Sequence, residues 1–241
     1  MIYVISDIHG NLRRFCSVMK QINLQPQDQL YVLGDVIDRH KDGLRILRTI
    51  MGMENAHMIL GNHEYMMLRA LGYPYDDNVD DGGALGHWYR NGGQVTHSHF
   101  KHLRKNLRQE ILQYLLHLPL QREVTLNGTC YKLVHAAAAE EFDHDPIYKN
   151  ATHFAVWKRY DAKDIPQRAY TLVFGHTPTR YYRDIAPMEV WKQTSAIGID
   201  CGCGYPEDRS QPLWNYGRLA CVRLDDGKVF YSEECDEKPS A

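Results

Sequence analysis

The strongest constraint on the fold is a pattern that occurs three times in the first 64 residues. A short apolar run ends at glycine or serine, and Asp or Asn follows at once. The runs at 2–5, 30–33 and 57–60 are predicted to be buried strands, and a helical pattern follows each of them. Successive strand–loop–helix units predict parallel strands in an α/β fold. The three junctions are Ser6-Asp7, Gly34-Asp35 and Gly61-Asn62.

The rest of the chain returns to strands after a mostly helical stretch. Asn127-Gly128 between apolar runs at 120–126 and 130–134 predicts a hairpin. A helical cap or insert is expected at about 73–118, with helices at 84–90 and 100–117. We therefore expect one domain over 1–241. Further strands are predicted at 171–174, 196–199, 218–223 and 228–232.

Composition and charge exclude several classes of protein. The 241-residue chain has a formal net charge of −2, which gives no general attraction to nucleic acid or anionic membranes. It contains no apolar run of the roughly 20 residues that span a bilayer and no signal-peptide pattern. We expect a cytoplasmic protein with no nucleic-acid or membrane partner. Its six cysteines are expected to be free thiols, and Cys201-Gly202-Cys203 lacks the second pair of a zinc site.

Residues that can bind metals follow most of the predicted strands. Each alone has an ordinary structural explanation, such as an Asp that caps a helix or a histidine buried in the core. Together they indicate one site, because ligand sites in α/β sheets form at the carboxyl ends of strands. The polar residues that follow successive strands are Asp7 and His9, then Asp35, Asp38 and Arg39, then Asn62 and His63, then His135, then His176.

The chemistry of these side chains favours phosphate hydrolysis. Carboxylate, imidazole and amide ligands suit Mn²⁺ in the first place, with Fe or Zn²⁺ as alternatives. Asp35 can bridge two cations, which at roughly 3.5–4 Å can hold a hydroxide and clamp a phosphoryl oxygen. Arg39 offers a planar fork that matches phosphate. His63 can protonate the leaving group while Asp38 orients its ring.

Five motifs carry a resemblance to a known family. In order they are SDIHGN, GDVIDR, GNHE, VHA and FGHTP. This series resembles the calcineurin-like metallophosphoesterases, and GDVIDR with GNHE is similar to the phosphoprotein phosphatase branch. That branch contains Ser/Thr protein phosphatases, bacterial and phage-type phosphatases and symmetrical diadenosine tetraphosphatases. HWYRNGG and VWKR resemble segments of the phage-type enzymes.

The resemblance implies a sandwich of two mixed β-sheets flanked by helices, with the site at one rim. It also implies a residue for each role. Arg39 and Arg159 would bind the substrate phosphate, Asn91 would lie at the rim, and His63 with Asp38 would form the general acid pair. Of the two metal ions, one would be held by Asp7, His9 and Asp35, and the other by Asp35, Asn62, His135 and His176.

The function expected from the resemblance is metal-dependent hydrolysis of phosphomonoesters by a metal-bridging hydroxide. A Ser/Thr protein phosphatase acting on a phosphorylated protein is preferred, and a diadenosine tetraphosphatase or another nucleotide phosphohydrolase is the alternative. An inactive binding or scaffold protein on this fold is the alternative of another class. The acidic stretch Asp76, Asp77, Asp80 and Asp81 is expected to be a solvated loop. Two departures from the family are His40 after Arg39 and the alanines at 136–139, both where glycine is usual.

Overall fold

The computed structural model describes a sandwich of two five-stranded mixed sheets flanked by helices, which confirms the predicted architecture. The structure describes residues 1–73, 83–161, 165, 168–205 and 217–233. The strands are β1 (Ile2–Ile5), β2 (Gln29–Val32), β3 (Ala56–Met58), β4 (Gln121–Leu126), β5 (Thr129–Val134), β6 (Thr171–Phe174), β7 (Trp191–Gln193), β8 (Ala196–Gly198), β9 (Ala220–Arg223) and β10 (Val229–Tyr231). The helices are α1 (Leu12–Ile22), α2 (Gly43–Met51), α3 (Asn62–Ala70), α4 (Ala84–Arg90), α5 (Gln94–Phe100), α6 (Lys105–Leu116) and α7 (Ala151–Trp157).

The first sheet has the order β10-β9-β1-β2-β3. As predicted, β1, β2 and β3 are parallel, with Ile5 paired to Val32 and Val32 to Met58. Their carboxyl ends therefore lie along one edge, where the three glycine- or serine-led junctions begin. β9 runs antiparallel to β1, which makes the sheet mixed.

The second sheet has the order β4-β5-β6-β8-β7. The predicted hairpin joins β4 to β5, and both turn residues have positive φ, 50° at Asn127 and 78° at Gly128. These angles suit the type I′ turn that matches strand twist. β5, β6 and β8 are parallel, so their carboxyl ends also share an edge.

Apolar side chains from both sheets form the core between them. Val4 and Leu33 of the first sheet pack in one cluster with Leu133, Val173 and Ile199 of the second. Each of these side chains is fully buried, which contributes about 1.5–3 kcal/mol per residue. This packing between the sheets holds the carboxyl ends of both groups of parallel strands at the same rim.

The helix predicted at 100–117 was given the wrong first residue. The chain forms two helices, α5 and α6, separated by a turn at 101–104. Thr96 and Phe100 are buried on α5, whereas the apolar stripe of Ile111 and Leu115 belongs to α6 alone. Spacing between buried leucines does not reveal where a helix is interrupted, so α5 was missed.

Two short elements were also absent from the prediction. α7 has seven residues, four of them threonine, histidine, valine or tryptophan, which have modest helix propensity. It begins where the side chain of Asn150 accepts a hydrogen bond from the backbone N–H of His153. β7 has three residues and pairs antiparallel to β8 at the edge of the second sheet. Elements this short depend on tertiary pairing more than on local sequence.

The remaining expectations concern the cysteine thiols, membrane-spanning helices and the acidic stretch. The five cysteines within the described ranges are free, and burial raises the pKa of the Cys201 and Cys203 thiols. Among the helices of the described ranges, none is long and apolar enough to cross a bilayer. The acidic stretch from Asp76 to Asp81 lies outside the described residues.

Candidate metal centre

The loops that follow the strands adopt backbone conformations that are rare for residues with side chains. Asp7, His9, Asp35 and His176 all have positive φ, between 48° and 61°. Such strain persists only where the surrounding structure enforces it, and it often marks a functional site. Here the loops hydrogen-bond to one another, since the N–H of Asp7 donates to the Gly34 carbonyl and that of His9 to the Asp35 carbonyl.

Glycines allow these loops to approach the carboxylates. A Cβ on Gly61 would overlap the backbone and Oδ1 of Asp35, and one on Gly175 would overlap Ser6 and Oδ2 of Asp7. The strand-ending glycines are therefore required by close approach of two loops. They bring a residue of each sheet to the same rim.

Asp35 lies at the centre of the rim and faces two groups of ligands. Its Oδ2 is 3.7 Å from Nε2 of His9, and its Oδ1 is 3.5 Å from Nε2 of His135. The carboxylate is only 2% exposed. One oxygen toward each group is the geometry a bridging carboxylate needs.

The group around Asn62 brings two imidazole rings to one amide oxygen. Nδ1 of His135 is 2.6 Å from the Leu33 carbonyl, which can only accept, so that nitrogen carries the proton. Nε2 of the neutral ring therefore presents a lone pair, 2.9 Å from Oδ1 of Asn62. Nδ1 of His176 is 3.0 Å from the same oxygen. The lone pairs of Asn62 Oδ1 and His135 Nε2 repel each other unless a cation lies between them.

The group around His9 has the same character. Nδ1 of His9 is 3.3 Å from the Ile37 carbonyl and donates to it, so Nε2 presents its lone pair to the carboxylates. That Nε2 is 3.9 Å from Oδ1 of Asp7. His9, Asp35 and His63 form one cluster able to hold a metal ion, and Asp35, His135 and His176 form the second.

The pKa shifts favour cation binding at both groups. Burial lowers the pKa of His9 and His176 well below the usual value, and neighbouring cationic groups lower it further. These imidazoles are therefore neutral and free to coordinate. Burial, with the charges of Asp200 and Asp35, raises the pKa of Asp7 well above its usual value. Crowded carboxylates and neutral imidazoles suit divalent cations, so the residues present fit two metal ions.

His63 and Asp38 form a close pair beside the ligands. Nδ1 of His63 is 2.7 Å from Oδ2 of Asp38, and Nε2 is 3.4 Å from Nη2 of Arg39. Burial lowers the pKa of His63, but the charge of Asp35 and the hydrogen bond to Asp38 raise it more, and the net shift is upward. The ring is thus held with Nδ1 on the carboxylate and Nε2 toward the exposed Arg39.

The other predicted residues lie at different distances from the centre. Arg159 is exposed; burial lowers the pKa of His135 and His176, and the charge of Arg159 lowers it further. The Asn91 amide instead donates to the His87 carbonyl at 2.9 Å, and the structure does not bring it among the ligands. The ring of His40 donates from Nδ1 to the His9 carbonyl at 2.9 Å, so it supports the first loop.

Sequence reasoning missed Glu64, which holds the central loop. Its carboxylate accepts the backbone N–H groups of Asp35, Val36 and Ile37 at 2.8, 2.9 and 3.3 Å. Burial, then the charge of Asp35, raises its pKa to about 7. Its position beside His63 in GNHE was the available signal.

Three more polar residues support the site without having been predicted. Nε1 of Trp88 donates to Oδ2 of Asp38 at 2.7 Å, and Oγ1 of Thr96 accepts the Asp38 N–H at 2.9 Å. Asp200 is buried after β8, and burial raises its pKa to about 6. The strand-end rule that found Asp7 would also have found Asp200, whereas nothing in the sequence linked α4 and α5 to Asp38.

Two ligand groups that share one carboxylate at the rim of a mixed sandwich define a candidate dinuclear metal centre. Residues 1–192 match the family described as calcineurin-like phosphoesterase, and the chain belongs to that family.

Similar proteins carry two kinds of name. The chain is 35% identical over 194 residues to a symmetrical bis(5'-nucleosyl)-tetraphosphatase of Glaesserella parasuis, covering 79% of this chain and 63% of the relative. It is 32% identical over 139 residues to serine/threonine-protein phosphatase 2 of Escherichia coli, covering 56% and 57%. The matches therefore span less than two thirds of either relative.

A solved structure shares the fold at lower identity. A serine/threonine phosphatase from Saccharomyces cerevisiae superposes with a TM-score of 0.58 at 14% identity, covering 99% of this chain and 81% of that one. At that identity the likeness concerns the fold alone.

Proposed function

We propose that the protein hydrolyses phosphoric esters or anhydrides with two divalent cations at the rim. The position of Asp35, with one oxygen toward His9 and the other toward His135, carries this proposal. Membership of the calcineurin-like phosphoesterase family supports it. The ligands would be Asp7, His9 and Asp35 for one ion, and Asp35, Asn62, His135 and His176 for the other.

When bound, two divalent cations would supply positive charge to a phosphoryl oxygen and lower the pKa of a water molecule. Mn²⁺ is the expected ion, because the set contains carboxylate, imidazole and amide donors and no thiolate. His9 and His135 each use Nδ1–H to bind a backbone carbonyl, which orients Nε2 toward the centre. Such hydrogen bonds fix the tautomer of a ligating histidine.

The exposed arginines hold the substrate. Arg39 lies next to His63, and a guanidinium can bind two phosphate oxygens at once. Arg159 is the second exposed arginine, and it would bind the same phosphate. The two guanidinium groups would hold the phosphoryl group and stabilise the charge that develops on its oxygens.

His63 donates a proton to the leaving oxygen from Nε2. Asp38 accepts the Nδ1–H, which keeps Nε2 directed at the substrate and stabilises the imidazolium. The upward shift in the pKa of His63 supports this role, because a general acid must be protonated before it acts. Asp38 is itself fully buried and held by Trp88 and Thr96.

Two substrate classes are candidates for this proposed activity. The sequence prediction of a phosphoserine or phosphothreonine protein is supported by the phosphatase relative, and a dinucleoside polyphosphate is supported by the tetraphosphatase relative. Both substrates require the same centre.

A substrate panel tests the proposed function. The chain would be loaded with Mn²⁺ and given 4-nitrophenyl phosphate, diadenosine tetraphosphate, and phosphoserine, phosphothreonine and phosphotyrosine peptides. We expect hydrolysis of the aryl phosphate and of one biological class, abolished by removing the metal. Binding of Mn²⁺ with no hydrolysis of any substrate would contradict the proposal and favour the scaffold alternative.

A further inference from the structure

His40 lies between the loop that carries His9 and the loop that carries Arg39. It follows Arg39 directly, at a position where glycine is usual in the family. The residue is half-buried, and its ring Nδ1 is 2.9 Å from the backbone carbonyl of His9. A carbonyl can only accept, so Nδ1 carries the proton and donates it. The side chain therefore joins a proposed metal ligand to the residue that follows the proposed phosphate-binding arginine.

The backbone of residue 40 also donates to the His9 carbonyl, but it shares its proton. The N–H of His40 is 3.1 Å from that carbonyl and 2.8 Å from the carbonyl of Asp38. A proton shared between two acceptors binds each of them less strongly than one acceptor alone. His9 is only 2% exposed, so water has little access to its carbonyl. A glycine at position 40 would remove the imidazole donor and leave this carbonyl the shared one.

Hydrogen bonds to the segment 35–40 fix the orientation of His9. Its N–H donates to the Asp35 carbonyl at 2.9 Å, and its ring Nδ1 donates to the Ile37 carbonyl at 3.3 Å. With its carbonyl held by His40, the ring atom Nε2 is directed at Oδ2 of Asp35, 3.7 Å away. His9 has a φ of 48°, a conformation that persists only where the surroundings enforce it. The bond from His40 is part of that enforcement.

The loop that carries His40 is itself anchored by α5 and the turn before it. The N–H of Arg39 donates to the Gly92 carbonyl at 3.1 Å. On the other side of His40, Nδ1 of His99 on α5 donates to the Lys41 carbonyl at 3.0 Å. Because the backbone is held on both sides, the imidazole of His40 donates from a fixed position.

We infer that His40 is a positioning residue for the first of the two metal ions. The inference rests on the proposed function, since it concerns one of the proposed ions. The Nδ1–H of His40 holds the His9 carbonyl and thereby keeps Nε2 of His9 directed at the position between Asp7 and Asp35. The same bond ties the His9 loop to the loop of Arg39. His40 acts through His9 and not on the substrate.

Replacements of His40 that keep or remove the donor test this role. His40→Asn keeps an N–H at the δ position, because its amide nitrogen is attached to Cγ as Nδ1 is. His40→Leu keeps a branched side chain without a donor, and His40→Gly is a second variant without a donor. His99→Ala is the matched control, because His99 also donates from Nδ1 to a carbonyl of this loop, but to Lys41 instead of His9.

The first measurement is a Mn²⁺ titration of each metal-free protein, with free Mn²⁺ followed by electron paramagnetic resonance and the fold checked by circular dichroism. We expect two ions to bind the unsubstituted chain. The dissociation constant of one ion should rise about tenfold in His40→Leu and His40→Gly, the lower end of the usual cost of losing a partner that orients a metal ligand. His40→Asn should recover most of the affinity, and His99→Ala should match the unsubstituted chain.

The second measurement repeats the titration in a His9→Ala background, which lacks a ligand of the first group. If His40 acts through His9, adding His40→Leu should not change the Mn²⁺ affinity that remains. One ion or none bound by the unsubstituted chain would overturn the proposed function and this inference with it. Two ions with unchanged affinity in both donor-free variants, an equal loss in His40→Asn or His99→Ala, or a further loss in the His9→Ala background would overturn the inference alone.

Discussion

Trp88→Phe tests whether α4 positions the proposed general acid. Oδ2 of Asp38 receives two hydrogen bonds of 2.7 Å, one from Trp88 and one from His63. Oδ1 of Asp38 has no hydrogen-bond partner among the described residues. Without the indole N–H the carboxylate can rotate, and the His63 ring loses its fixed direction.

The expected loss follows from the strength of that bond. A hydrogen bond to a buried charged group contributes about 1.5–3 kcal/mol. If the loss falls on the transition state, kcat/KM decreases about tenfold to a hundredfold, since each tenfold corresponds to about 1.4 kcal/mol. The assay is a series of aryl and alkyl phosphates, and the loss should grow as the leaving group becomes more basic, because such groups need the proton most.

The control is Trp191→Phe, a buried tryptophan in β7 on the second sheet. It should not change the dependence on the leaving group. An equal loss for all leaving groups in Trp88→Phe would refute the positioning role and leave only a general effect on packing. No loss with any substrate would refute the importance of the hydrogen bond.

Three further substitutions test other parts of the site and fold. His63→Asn should lower kcat about 10²–10⁴-fold with alkyl phosphates and less with aryl phosphates, and an equal loss for both would contradict its role as acid. Glu64→Ala should lower the free energy of unfolding by about 3 kcal/mol in urea titration, because three buried N–H groups lose their acceptor. Glu141 has its pKa held at about 2, since its hydrogen bonds to Arg168 and two tyrosines outweigh burial. Its folded pKa lies below the unfolded value of about 4.5, so Glu141→Gln should cost about 1–2 kcal/mol above pH 4.5 after allowance for solvent screening. That cost should fade as the pH decreases toward 2, and a cost independent of pH would contradict the account.

The strand ends could be predicted from sequence because their signal is local. An apolar run followed by glycine and a carboxylate or amide specifies both a buried strand and the loop after it, as at Gly34-Asp35 and Gly61-Asn62. The same rule gave the parallel order of β1, β2 and β3. It left the substrate open, since the metal centre is common to several substrates.

The contacts between distant segments could not be predicted. Trp88 and Thr96 reach Asp38 across 50 and 58 positions, and no spacing in one sequence reports such a distance. Trp157 meets the His176 ring from α7, which is too short to predict from propensity. Asn91 shows the reverse case, since its motif suggested the site rim and its amide binds the end of α4.

The number of metal ions bound by the chain and by Asp35→Asn tests the central claim most directly. Both proteins would be loaded with Mn²⁺, freed of excess ion and analysed for metal, with circular dichroism to check the fold. We predict two ions in the unsubstituted chain and a loss of both tight sites in Asp35→Asn, because one carboxylate serves both groups. Two ions retained in the variant, or one or none in the unsubstituted chain, would contradict a dinuclear centre bridged by Asp35.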